Sequence, residues 1–125
     1  MLNVASITGR MVKEPEIRQA GKTDNVVLDF TLAVQDDRKD KEGNYPAQFL
    51  DCQAWNQPAD FLANYAHKGD TITVTGRIIK DTWKDDEGNY FSRCYIRADH
   101  VYINAKVSQD EAPEEPKKAR KQYKR

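Results

Sequence analysis

The stretch Val26-Val27-Leu28-Asp29-Phe30-Thr31-Leu32-Ala33-Val34-Gln35 alternates along its whole length, with Val26, Leu28, Phe30, Leu32 and Val34 on one side and Val27, Asp29, Thr31, Ala33 and Gln35 on the other. Successive side chains of an extended chain point to opposite faces, so this period of two predicts a strand with one face in a core. Upstream, residues 3–8 are rich in β-formers and stop at Gly9, which predicts a first strand with a bend or bulge at its end. Pro15 and Gly21 punctuate the segment between these two strands. Downstream, residues 36–44 are charged and close on Glu42-Gly43-Asn44, a turn signature, so the second strand and the next form a hairpin with a long loop. The third strand covers about residues 48–55. Its Leu50, Cys52 and Ala54 fit the core, while Phe49, Asp51, Gln53 and Trp55 share the other parity and leave two aromatics outside.

Pro58 near the start, Phe61, Leu62 and Tyr65 at helical spacing, and Gly69 as a stop predict one short helix. A fourth strand comes next over about residues 71–80, with Ile72, Val74 and Ile78 facing in and Gly76 at a bend. Residues 81–90 read as a loop that holds Trp83, and Glu87-Gly88-Asn89-Tyr90 repeats Glu42-Gly43-Asn44-Tyr45 letter for letter, which predicts two similar hairpin turns. The last strand or pair of strands occupies about residues 91–104. There Cys94, Ile96 and Ala98 share the core parity, and Phe91, Arg93, Tyr95 and Arg97 share the opposite one. Three strands, a helix and two strands give the order of an all-β, five-stranded, Greek-key oligonucleotide-binding barrel with its helix between strands three and four.

Charge divides the chain at the same point. Over residues 1–105 there are 13 basic against 16 acidic side chains, whereas residues 106–125 hold 7 basic against 4 acidic, although the whole chain balances at zero. The expected organisation is a folded domain over 1–105 and a disordered charged tail over 106–125. A slightly acidic body argues against a domain that grips duplex phosphates over one broad face, but leaves room for a groove lined locally by cations. Cys52 and Cys94 are far apart and form no C-x-x-C pair, so both read as reduced, buried small hydrophobes. Residues 1–4 lack a basic region followed by an apolar stretch, and no segment reaches the ~18 consecutive apolar residues of a membrane helix, so the expectation is a cytoplasmic protein.

The outward aromatics Phe49, Trp55 and Trp83, with Phe91 and Tyr95, stand among Arg10, Arg77, Lys80, Lys84, Arg93 and Arg97. An unpaired base offers a π-face and a phosphate, so aromatic plates set among cations suit a single strand, each stacked base being worth about 1–3 kcal/mol. The competing reading is a subunit interface, where aromatics also concentrate. Phe49 and Trp55 are six residues apart, roughly 20 Å along a strand, a separation that suits several nucleotides. The acidic pairs Asp36-Asp37 and Asp85-Asp86 could be set against a Mg²⁺ nuclease, but both lie in loops crowded with Lys and Gly and read as solvated loop charge. His67 and His100 are single, no metal site or cofactor is expected, and no G-x-S-x-G, Walker or dinucleotide fingerprint is present, so no catalytic residue is assigned.

Across about residues 2–104 the chain resembles the bacterial single-stranded DNA-binding protein family. The resemblance rests on Thr8-Gly9-Arg10, Glu14-Pro15-Glu16-Ile17-Arg18, Phe30-Thr31-Leu32-Ala33-Val34, Trp55, Tyr65-Ala66-His67-Lys68-Gly69-Asp70 and Gly76-Arg77, taken together and in order. It implies a homotetramer that wraps single-stranded DNA, with base-stacking aromatics at Phe49, Trp55 and Trp83, in replication, recombination and repair. A further stacking aromatic of some members falls at about Arg38, where charge or guanidinium stacking would take its place. The family's tail normally ends in a short acidic segment with a hydrophobic tip that recruits replication and repair enzymes, whereas this one closes on Gln122-Tyr123-Lys124-Arg125, which fits a phage, plasmid or accessory version. Three alternatives stay open: a dimeric primosome-type relative of the same barrel, a protein-interaction scaffold that ignores poly-dT, and a metal nuclease that depends on Asp85 or Asp86.

Overall fold

A computed structural model of the 125-residue chain describes residues 1–107. The elements in order are β1 (Ala5–Met11), β2 (Arg18–Gln19), β3 (Val26–Gln35), β4 (Ala47–Trp55), α1 (Gln57–Tyr65), β5 (Thr71–Lys84) and β6 (Tyr90–Ala105). Five strands close a ring. β1 pairs with β3, β3 with β4, β4 with β6, β6 with β5 and β5 with β1, all antiparallel except β4 with β6. The two-residue β2 lies outside the ring against β3. This is the expected all-β barrel, with one helix between its third and fourth ring strands.

The core follows the period of two. Leu28, Phe30 and Leu32 of β3, Cys52 and Ala54 of β4, Ile72 and Val74 of β5 and Ile96 and Ala98 of β6 point inward, together with Met11. The helix closes one end of the ring by burying Ala59 and Leu62 in that cluster. Pro58 suits its first turn, where an N–H has no acceptor. Asn56, just before the helix, has φ of 56°, a left-handed conformation that Asn tolerates better than most residues. Its side-chain oxygen accepts from the Val26 N–H at 3.0 Å, which ties the helix entrance to β3. Burial pushes the Cys52 thiol up to about 12, so that cysteine is a packed, inert group.

Two glycines are fixed by close approach. A Cβ at Gly76 would lie 1.9 Å from the Arg97 carbonyl oxygen, where the β5–β6 register shifts, and one at Gly9 would lie 2.7 Å from the Ala33 carbonyl oxygen, where β1 crosses β3. Gly9 therefore does not end the first strand; β1 runs through it to Met11. Likewise α1 ends at Tyr65, with Ala66 already extended, and Gly69 at φ of 92° serves the turn into β5 instead.

Where parity failed, the cause is a hairpin that outgrows the barrel. β5 and β6 continue as a two-stranded arm to the pairs Trp83–Phe91 and Lys84–Tyr90, so Trp83 stands in a strand and not in a loop. Along this arm no second layer among the described residues covers the inward parity. Ile78, expected in the core, is 50% exposed, and Cys94, expected buried, is exposed as well. Val27 errs the other way: on the outward parity, it is fully buried opposite Trp55.

The chain leaves the barrel through a clasp. Asp70, fully buried, accepts from the His67 N–H at 2.9 Å and the Val107 N–H at 2.8 Å and pairs with Lys106 Nζ at 3.3 Å. The same Nζ donates to the Tyr65 carbonyl at the end of α1. Lys106 and Val107, grouped with the tail by composition, are thus bound to the body. The rest of the expected tail, residues 108–125, lies outside the described residues.

Candidate nucleic-acid interface

Residues directly opposite in a ladder share a face, and the registers therefore define one continuous outer surface over β5, β6, β4 and β3. Its rows on the hairpin are Trp83 with Phe91, Asp81 with Arg93, Ile79 with Tyr95, and Arg77 with Arg97. Arg97 adjoins Gln53 across the parallel pairing, and β4 adds Phe49, Asp51 and Trp55 on the same side. Of the residues expected from sequence, Phe49, Trp55, Arg77, Trp83, Phe91, Arg93, Tyr95 and Arg97 come together here.

Their environments differ. Phe49 is a bare plate, 66% exposed. Trp83 and Phe91 stack with centroids 5.9 Å apart and planes 21° from parallel, leaving 49% and 44% of each exposed, so each props the other and the pair acts as one plate. Trp55 is half-buried and held in place: its Nε1 donates to Gln53 Oε1 at 2.7 Å, and the Arg97 guanidinium lies 5.0 Å from the ring centroid. Gln53 Nε2 in turn donates to Asp29 Oδ1 at 3.0 Å, and Arg18 pairs with the other oxygen at 2.9 Å. Burial alone would raise the Asp29 carboxyl, but the Gln53 and Arg18 hydrogen bonds and the Arg18 and Arg93 charges outweigh it and hold the group below its ordinary value.

Tyr95 is not an open plate. It is buried beneath the Arg93 guanidinium, which lies 4.9 Å from its ring centroid, and burial with the Asp81 charge and hydrogen bond pushes its hydroxyl upward. Arg93 also faces Asp51 at 3.9 Å, whereas Arg77 has no ion-pair or hydrogen-bond partner among the described residues. The surface can thus offer three separated apolar plates and cations in between, with its carboxylates already engaged by Arg, Thr31 and Tyr95.

Four expected residues fall elsewhere. Lys80 and Lys84 take the opposite parity on β5, on the reverse of the hairpin, with Lys84 Nζ 5.3 Å from the Tyr90 ring centroid. Arg38 stands exposed in the 36–46 loop, and Arg10 lies one strand beyond the surface, in the row Arg10–Ala33–Phe49. Asp85 is occupied: its Oδ1 accepts from the Glu87 and Asn89 N–H groups at 2.9 and 2.8 Å, and its carboxyl is lowered chiefly by the Asn89 backbone bond. Among the described residues, no three or more His, Cys, Asp or Glu side chains are grouped so as to hold a metal ion. No described helix is long and apolar enough to cross a membrane.

The profile of the Single-strand binding protein family matches residues 2–104. The chain belongs to the single-strand binding protein family. Among curated relatives, a "Single-stranded DNA-binding protein" of Streptococcus pyogenes serotype M1 is 41% identical over 96 residues, 77% of this chain and 56% of the relative. One of the same name from Enterococcus faecalis is 34% identical over 96 residues, 77% of this chain and 49% of the relative. The chain spans about half the length of these curated relatives.

In this member of the single-strand binding protein family, sequence reasoning passed over Gln53, which orients the Trp55 indole, and Tyr45 with Lys39, whose Nζ lies 5.6 Å from the Tyr45 ring centroid. The signal for Tyr45 was present in the repeated Glu-Gly-Asn-Tyr. Gln53 gave none, since a polar residue on an outward parity is ordinary.

Proposed function

We propose that the protein binds single-stranded DNA without sequence preference and protects it during replication, recombination and repair. Unpaired bases stack on Phe49, Trp55 and the Trp83–Phe91 plate, while Arg77, Arg93 and Arg97 neutralise phosphates and release counterions. Arg10, Arg38, Lys80 and Lys84 would meet phosphates at the margins of that path. The observation that carries the reading is the run of separated aromatic plates with guanidinium groups between them on one side of a closed barrel. The names of the relatives support it. The protein acts by binding and not by chemistry on the strand, in the cytoplasm.

We further propose that it works as a homo-oligomer, a tetramer before a dimer. β1 is laddered to β3 only at Arg10 and Met11, so among the described residues its second edge along residues 5–9 is unpaired, and an open edge invites another strand. A hollow of about 300 Å³ beside it, lined by Ala5, Ile7, Leu50, Ile78, Cys94 and Ile96, adds apolar surface for such a contact. Mass measurement in solution separates monomer, dimer and tetramer.

The DNA reading is tested by intrinsic tryptophan fluorescence during titration with poly-dT at low and then high salt, with duplex DNA as control. The expected result is strong quenching by the single strand alone and weaker binding as salt rises. Absence of quenching and of binding at low salt would move the aromatic surface to a protein partner.

A further inference from the structure

On the far side of β3 from Phe49 lies a cleft of about 440 Å³, lined by Thr8, Gly9, Arg10, Ala33, Gln35, Tyr45, Ala47 and Thr71. It is within the range of about 300–1,000 Å³ typical of small-ligand sites. Its room comes from small residues. Gly9, Ala33 and Ala47 form the floor at the β1–β3 crossing and along the β3–β4 ladder, where larger side chains would fill it.

Two groups give it chemistry. Arg10 is exposed and has no hydrogen-bond or ion-pair partner among the described residues, although an uncommitted guanidinium is a ready bidentate partner for phosphate. Tyr45 is 45% exposed, and Lys39 lies over its ring, which marks that ring as a plate of the kind a cation or a base occupies. Thr8, Gln35 and Thr71 supply neutral donors and acceptors between them. The Asp40 carboxylate in the loop's turn is occupied, accepting from the Glu42 and Asn44 N–H groups at 2.9 Å each.

We propose that this cleft is a further nucleotide subsite, in which Tyr45 stacks a base and Arg10 binds the adjoining phosphate. The inference rests on the single-stranded DNA reading and extends it by one strand of the barrel. Continuity supports it, because Arg10, Ala33 and Phe49 form one row across β1, β3 and β4, and neighbouring strands are about 4.8 Å apart. A strand leaving the Phe49 plate therefore crosses only Ala33 before it reaches the Arg10 guanidinium. The occupant is a nucleotide of the bound strand and not a free ligand, since Arg10 and Ala33 of the cleft continue the row of the Phe49 plate.

The test uses the full chain with poly-dT and the tryptophans as reporters, because Trp55 and Trp83 are untouched by the substitutions. Tyr45→Ala should weaken binding about tenfold, Tyr45→Phe should bind as the original does, and Ala47→Phe, which fills the cleft, should match Tyr45→Ala. Arg10→Gln should lower the slope of log affinity against log salt by about one. Circular dichroism establishes that each variant is folded, and the exposed positions of Tyr45 and Ala47 make a folding failure at both an unneeded explanation. If Tyr45→Ala and Ala47→Phe bind as tightly as the original while the single strand still quenches both tryptophans, the subsite is overturned and the wider reading stands. If the original chain shows no quenching, the wider reading fails and the subsite with it.

Discussion

Two turns of this chain are nearly one sequence, Lys39-Asp40-Lys41-Glu42-Gly43-Asn44-Tyr45 and Lys84-Asp85-Asp86-Glu87-Gly88-Asn89-Tyr90, and they fold alike. In each, the first Asp carboxylate accepts the N–H groups two and four residues on, at 2.8 to 2.9 Å, and the glycine takes φ of 86° or 88°. In each, the Lys lies over the Tyr ring, at 5.6 and 5.3 Å. Their surroundings share nothing. The first turn joins two strands of the closed ring and sets Tyr45 over a cleft, whereas the second tips a hairpin that stands clear of the ring and puts Tyr90 on the reverse of the Trp83 face. Seven residues dictate a turn, and the strands on either side decide whether its aromatic can meet a ligand.

The most severe way to break the contrast is at the root of the second turn. Gly76→Ala sets a Cβ against the Arg97 carbonyl, a backbone atom that cannot yield cheaply, and should cost about 3 kcal/mol of stability by denaturant titration. A smaller effect separates the two sides of the hairpin. Trp83→Ala should weaken poly-dT binding by the ~1–3 kcal/mol of one stacked base, while Tyr90→Ala, removing a more exposed ring from the reverse face, should leave it unchanged in the same titration. Loss with Tyr90→Ala would show that the strand passes beyond the margin at Lys80 and Lys84 and wraps the reverse of the arm.

The smallest effect is local. The Asp85 carboxyl is held below its ordinary value by backbone N–H groups, so the charged form favours the folded turn. That contribution is complete above the ordinary aspartate value of 3.8 and is lost as pH falls through the lower value of the folded turn. The protection of the Asn89 amide, relative to its intrinsic exchange rate, should fall over that acid range, and in Asp85→Asn it should already be low at neutral pH.

The ring was legible because its strands are half-covered: Val26 to Gln35 and residues 48–55 alternate, and the alternation is what burial on one side requires. The arm was not, since beyond Gly76 both faces of β5 meet solvent and parity no longer reports depth, which misplaced Ile78 and Cys94, while the charged turn residues after Lys80 hid the strand that holds Trp83. Most of the aromatic surface could be read as outward positions on β4 and β6. That Tyr95 lies covered by Arg93, and that Lys80 and Lys84 face away, come from registers across strands far apart in sequence, which no local pattern carries. Arg10 and Tyr45 are 35 residues apart in sequence and meet only because β1 crosses β3.

The clasp at Asp70 has a mechanical side. A pull on the chain from beyond Val107 reaches first the Lys106 ion pair and the two bonds that anchor Lys106 and Val107 to the α1 end and Asp70, and only then the β5–β6 ladder. The ladder begins there with the Ala105–Thr71 pair and runs the whole length of both strands. A partner tugging on the C-terminal segment would therefore meet a small yielding catch in series with a stiff barrel, and the aromatic surface would keep its shape while the catch gives way.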